Sequence, residues 1–111
     1  MSTYKAVFSD IDGTLLTSEH IVSTATIEAI ASLQDKNIPF VIISSRSASC
    51  IYPILEKHHF QCPIVACGGA WIEDMNGRIL SNEGMSKQTA ATVIEFMTEK
   101  KFDLAWGIYS G

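Results

Sequence analysis

Tyr4-Lys5-Ala6-Val7-Phe8-Ser9 runs directly into Asp10-Ile11-Asp12-Gly13-Thr14, and the reading of this stretch governs the rest of the chain. A short, mostly apolar run that ends in two acids and a glycine reads as a strand leaving its sheet. If extended backbone persists from Asp10 to Asp12, both carboxylates point to one side. Gly13 then permits a sharp turn away from the sheet. Two carboxylates held close repel each other unless a cation or a proton lies between them. Hard divalent ions such as magnesium favour oxygen ligands of this kind.

The pattern continues outward from that strand. Ser23 is placed to cap a helix, with Ile27, Ile30, Ala31 and Leu33 on one face and Asn37 as its stop. Ile38-Pro39-Phe40-Val41-Ile42-Ile43 is a continuous apolar run, as expected of a strand covered on both faces. Ser44-Ser45-Arg46-Ser47 follows, then a helical stretch to about His58. Pro53 requires that helix to begin near Tyr52 or to bend there. Pro63-Ile64-Val65-Ala66 reads as a third strand ending at Gly68-Gly69.

Strand, helix, strand, helix, strand implies right-handed crossovers and a parallel sheet. Ligands bind beyond the carboxyl ends of such strands. Asp10, Ser44 and Gly68-Gly69 all fall there. Beyond Ala70, residues 71–80 read as a hairpin with Asn76-Gly77 in its turn. Ser86 caps a helix to about Lys101 with Val93, Ile94 and Met97 on one side. Leu104 to Tyr109 reads as a strand whose open edge invites pairing with a second copy.

Composition narrows the function. The chain has 111 residues, 47% of them hydrophobic, and a net charge of −4 without any basic stripe. Nucleic-acid binding is therefore not expected. Ile38 to Ile43 is too short to span a bilayer, and residues 1–5 lack the regions of a signal peptide, so the expected address is cytoplasmic. Cys50, Cys62 and Cys67 lack zinc-site spacing and are expected to be small buried hydrophobes. His58 and His59 are expected at a helix end, where positive charge suits the dipole. An EF-hand is excluded. Counted from Asp10, glycine arrives at position 4 rather than 6, and Ile21 stands where the bidentate glutamate belongs.

Phosphoryl transfer gives these groups natural roles. One carboxylate can attack phosphorus and form an aspartyl-phosphate. The other can protonate the leaving oxygen and later deprotonate water. Ser44 and backbone amides at the neighbouring strand end can hold the phosphoryl oxygens. The spacing alone leaves a plain polar turn open as an alternative.

Val7 to Leu16 resembles the first motif, DxDGT(L), of the haloacid dehalogenase-like superfamily. Ile21 to Ile30, Ile38 to Arg46 and Ile64 to Leu80 are similar in order and spacing to its Cof-type sugar-phosphate phosphatases. The resemblance implies a Rossmann-like α/β core over residues 1–80 and the beginning of an α/β cap domain over 81–111. It implies a magnesium-dependent phosphatase of a small phosphorylated metabolite, a sugar phosphate first among them. Asp10 would be nucleophile and metal ligand; Asp12 would be general acid/base and would ligate the metal through its carbonyl. Ser44 would bind the phosphoryl group, joined by Gly13, Thr14, Ser45 and Arg46. Ser44-Ser45-Arg46 stands where the family usually has Thr-Gly-Arg, and Gly68-Gly69-Ala70 where Asn-Gly-Ala is common. The family's later lysine and acidic motifs have no counterpart, so the chain is expected to be a front part. The alternative is a non-catalytic module that binds or self-assembles.

Overall fold

The computed structural model describes residues 3–101, 103 and 105–108. Three short strands, β1 (Val7–Ser9), β2 (Phe40–Ile43) and β3 (Ile64–Ala66), pair in parallel in that order. β4 (Trp71–Glu73) and β5 (Ile79–Asn82) extend the same sheet antiparallel, giving the order β1-β2-β3-β4-β5. The hairpin is thus part of the core sheet, which is mixed. Its turn is held by Asp74, whose Oδ1 accepts the amides of Asn76 and Arg78, with Gly77 at φ 81°.

Helix α1 (Thr24–Asp35) starts where Ser23 Oγ accepts the Thr26 amide, and Asn37 takes φ 56° just past its end. Ile30 is buried, with Ile27 and Leu33 packed beside it. Ala31 is exposed, contrary to expectation. At 100° per residue it lies a full step from Ile30, outside the stripe that Ile27, Ile30 and Leu33 share.

Helix α2 (Ala48–His58) starts at Ala48, not near Tyr52. Pro53 is in its second turn, where it removes the hydrogen bond to the Ser49 carbonyl. Ser49 is exposed, so water can take that carbonyl. Ile51 is the residue of α2 fully buried. Helix α3 (Lys87–Glu99) is capped by Ser86 Oγ on the Thr89 amide, and none of its residues is buried.

The core lies on one face of the sheet. Phe40, Ile42, Ile64 and Ala66 meet Ile11, Ile30 and Ile51 there. Strand order 1-2-3 with right-handed crossovers places both connecting helices on the same side. The opposite face is more open than a doubly covered strand implies: Val41 is buried, but Phe8 is 60% and Ile43 40% exposed.

Of the cysteines, Cys62 is buried and burial pushes its thiol up to about 11. Cys67 is partly buried and Cys50 is exposed, which corrects the expectation of three buried thiols. Cys50 faces out because the inward stripe of α2 runs through Ala48 and Ile51. His58 departs from its expected part as a cation at the helix end. Its Nε2 accepts the Val22 amide, and burial, then Lys57 and His59, hold its pKa below the usual imidazole range. Ala105 to Ile108 are not in a strand; the remainder of the strand expected there, Leu104 and Tyr109, lies outside the described residues. Among the described residues no helix is long and apolar enough to cross a membrane.

Candidate active site

Because β1, β2 and β3 run parallel, their carboxyl ends lie on one rim, and each leads into a loop of the site. After β1, Asp10 stays extended (φ −71°, ψ 164°) and its Oδ1 accepts the Ile11 amide at 2.8 Å. Residues Ile11–Leu15 form one wide turn, closed by the Leu16 amide on the Ile11 carbonyl at 3.1 Å. Ile11 and Leu15 are buried, while Asp10 and Asp12 face solvent. The strand does not run on through Ile11, which begins the turn in helical conformation, but Asp12 is again extended (φ −72°, ψ 121°). Gly13 breaks away at φ 77°, a conformation that disfavours side chains with a Cβ. Two apolar anchors thus hold a turn whose outer surface is acidic.

After β2, Ser44 is buried at 4% exposure. Its amide donates to Val65 O at 2.9 Å, and its Oγ accepts the Arg46 amide at 3.0 Å. After β3, the amides of Gly68 and Cys67 donate to the carbonyls of Ser44 and Arg46 at 3.0 and 2.8 Å. Cys67, Gly68 and Gly69 all have positive φ, which turns this loop back toward the one after β2. The two loops are therefore a single hydrogen-bonded unit.

Arg46 joins that unit to the acidic turn. Its Nε lies 2.9 Å from Asp12 Oδ2 and its Nη2 2.6 Å from Asp12 Oδ1, the bidentate geometry characteristic of guanidinium and carboxylate. The hydrogen bond from Arg46 holds the Asp12 carboxyl below its usual range, opposed by desolvation and helped by the charges of Arg46 and His20. Arg46 is in turn held more firmly as a cation. Both side chains are substantially exposed, at 34% and 56%, so water and salt screen the attraction. Asp12, Arg46 and Ser44 are thus linked, while Gly13, Thr14 and Ser45 lie exposed on the same two loops. Asp10 is bonded to neither Arg46 nor Ser44 among the described residues.

The donor set suits a hard cation in kind: the Asp10 carboxylate and the Asp12 carbonyl are oxygens at the solvent boundary. In number it is small. Among the described residues no group of three or more histidine, cysteine, aspartate or glutamate side chains could hold a metal ion.

A second polar constellation has no forerunner in the motif reading. Glu73, only 4% exposed, accepts at one oxygen the Trp71 indole N–H at 2.8 Å and also the Tyr52 hydroxyl. Burial and that carboxylate push the Tyr52 hydroxyl up to about 12. The alternation of β4 puts Trp71 and Glu73 on one face, a signal present in Trp71-Ile72-Glu73. Tyr52, from α2, comes to them only through the fold.

The chain is similar to several known proteins. A Haemophilus influenzae protein described provisionally as a phosphatase is 47% identical over 73 residues, covering 66% of this chain and 28% of that one. The pyridoxal phosphate phosphatase YbhA of Escherichia coli is 26% identical over 98 residues, 87% of this chain and 36% of its own. The structure of a haloacid dehalogenase-like hydrolase from Bacillus subtilis superposes with a TM-score of 0.82 at 28% identity, over 87% of this chain and 34% of that one. This chain therefore spans about a third of the length of such relatives. Residues 7–110 match the family described as haloacid dehalogenase-like hydrolase, and the chain belongs to that family.

Proposed function

We propose that this chain is the front part of a magnesium-dependent phosphatase that hydrolyses a small phosphorylated metabolite through an aspartyl-phosphate. The observation that carries the reading is an exposed Asp10 at the tip of β1, on the rim where the Ser44 and Gly68 loops are tied together. An exposed carboxylate at the end of one strand, with the Ser44 hydroxyl and the Arg46 guanidinium at the end of the next, is the set of groups that phosphoryl capture needs. Residues 1–80 would be the core and 81–111 the opening of a cap, with β5 carrying the core sheet on to Asn82. The free thiols suit a reducing, cytoplasmic setting.

In the first step a carboxylate oxygen of Asp10 forms a bond to phosphorus as the ester P–O bond breaks. Asp12 gives its proton to the departing oxygen. In the second, Asp12 takes a proton from water, whose oxygen bonds phosphorus as the acyl-phosphate P–O bond breaks, releasing phosphate and Asp10. Magnesium, held by the Asp10 carboxylate, the Asp12 carbonyl and waters, would neutralise phosphoryl charge. Paired with Arg46, Asp12 is held as a carboxylate, which suits the base step and opposes the acid step. A phosphate ester is the natural competitor for that guanidinium, so binding of substrate frees Asp12 to take up its proton. Arg46 thereby becomes both a phosphate ligand and the group that keeps Asp12 charged until substrate arrives.

The resemblance puts sugar phosphates first among substrates, whereas the relative YbhA is named for pyridoxal phosphate. The class common to both is a small phosphate monoester. The test is phosphate release from an aryl phosphate with magnesium, comparing the chain with its Asp10→Asn variant. With so few metal donors the 111 residues alone are expected to turn over very slowly, and Asp10→Asn to abolish what remains. Equal, strong release by both would overturn the assignment of the nucleophile.

A second reading, self-assembly without catalysis, is favoured by the outer edge of β1, which ends the sheet with Phe8 exposed beside it. Sedimentation decides this point: a clean monomer across a wide concentration range removes it.

A further inference from the structure

A cavity of about 990 Å³ lies between α2, β4, α3 and the segment at Trp106, and it reaches Ser47 and Cys67 in the two loops that carry the proposed phosphate site. We infer that this cavity is the leaving-group pocket of the proposed phosphatase, and that it selects esters carrying a flat aromatic ring over sugar phosphates. The inference rests on the phosphatase reading and narrows its substrate class.

Three observations point the same way. The cavity is walled by Tyr52, Trp71 and Trp106, with Met85 and Met97 beside them. Aromatic faces and thioethers are the side chains that best receive another ring. The polar atoms of two of those aromatics are already engaged, because the Tyr52 hydroxyl and the Trp71 indole N–H both donate to buried Glu73. A polyhydroxylated sugar needs donors and acceptors from its walls. Tyr52 and Trp71 have no donor left to give, which leaves Ser47, Ser49, Asn82 and Lys87 as the polar side chains of the lining, and Glu73 fixes the two rings in place, so no reorganisation is needed to present their flat faces. Finally, among the described residues the lining contains no carboxylate and one cation, Lys87, a charge balance that favours an anionic ester. The volume is at the upper end of what small-molecule sites occupy, about 300–1,000 Å³, so a ring and its substituents fit.

Glu73 acts here as a positioning residue, and Trp71 and Trp106 as specificity determinants. The measurement is calorimetric titration of the chain, with magnesium present, using phenyl phosphate, glucose 6-phosphate and inorganic phosphate. Phenyl phosphate is expected to bind about tenfold or more tightly than glucose 6-phosphate, a factor worth about 1.4 kcal/mol. Trp71→Ala should reduce that ratio to near one. Because Trp71 is partly buried and its loss could unfold the sheet, Trp106→Ala provides the second variant. Trp106 is 55% exposed, and its removal should lower the ratio while the melting temperature holds. Ser44→Ala should weaken both esters alike and leave the ratio unchanged. Equal affinity for the two esters, or a ratio untouched by both tryptophan variants, overturns the aromatic pocket while leaving the phosphatase reading intact. Failure of inorganic phosphate and both esters to bind would overturn the site itself and this inference with it.

Discussion

Ile11 separates the two carboxylates of the acidic turn, and its side chain has no solvent exposure. Truncating it to alanine removes three carbons from the point where the turn is fastened to the core. A buried Ile→Ala change costs about 2–5 kcal/mol depending on how far the surroundings collapse. Here the closure of the turn, Leu16 N–H on the Ile11 carbonyl, restrains collapse, which favours a cost of about 3.5 kcal/mol within that range. An unfolding entropy of roughly 2.1 cal/mol/K per residue gives about 0.23 kcal/mol/K for a chain of this length. The expected fall in Tm is thus about 15 °C for Ile11→Ala, and about 4 °C for Ile11→Val at a cost near 1 kcal/mol. Asp10→Asn, one position away but exposed, should move Tm by no more than about 2 °C, as surface substitutions do. Thermal melts followed by circular dichroism at several scan rates give all three values. Should Ile11→Ala melt within about 4 °C of the unmodified chain, the turn is not fastened through Ile11. The fixed geometry of Asp10 and Asp12 would then lack its physical basis.

Two pH effects follow from the hydrogen bonds. The Asp12 carboxyl is depressed by Arg46, so the pair stabilises the fold above the ordinary aspartate range and loses that contribution as pH falls through the depressed value. In Arg46→Ala the Asp12 carboxyl resonance should titrate at higher pH, and added salt should narrow the difference; an unmoved titration would show the pair to be absent in solution. His58 acts in the same direction: its folded pKa is also depressed, so the unfolded chain binds the extra proton first. Stability should therefore decline as pH drops below about 6.5, the ordinary imidazole value, toward the folded value. His58→Phe should remove that decline, and urea midpoints at pH 7.5 and 5.5 that fall equally in both proteins would refute the role of Nε2 as acceptor for Val22.

Much of this architecture is local in origin, and those parts are legible in the sequence. Ser23 and Ser86 cap their helices with their own hydroxyls, Asn37 takes the left-handed conformation that ends α1, and Gly13 does the same in the acidic turn. Each depends on a residue and its near neighbours. The misreadings arise where tertiary context decides. Pro53 left open whether α2 begins near Tyr52 or runs through the proline, and the helix runs through it from Ala48. Cys50 faces out because Ile51 must face in. The open second face of β2 follows from both crossovers lying on one side, which no single strand discloses. At the site, Asp10, Asp12 and Ser44 stand out by type and position at strand ends. The pairing of Asp12 with Arg46, and of Tyr52 with Glu73, joins residues 34 and 21 positions apart, and no periodicity connects them.

Among the described residues, the strand that carries Asp10 has a hydrogen-bonded neighbour on one side only, β2. A ladder spacing of about 4.8 Å means that any strand laid parallel against the vacant flank would deliver its own terminal side chains to within one such interval of Asp10. Groups contributed from there would meet the nucleophile laterally, opposite the Ser44 loop, so that a phosphoryl group would be gripped between two walls. The position of β1 at the margin of the sheet therefore makes the attacking carboxylate the place where a second set of residues has most to add.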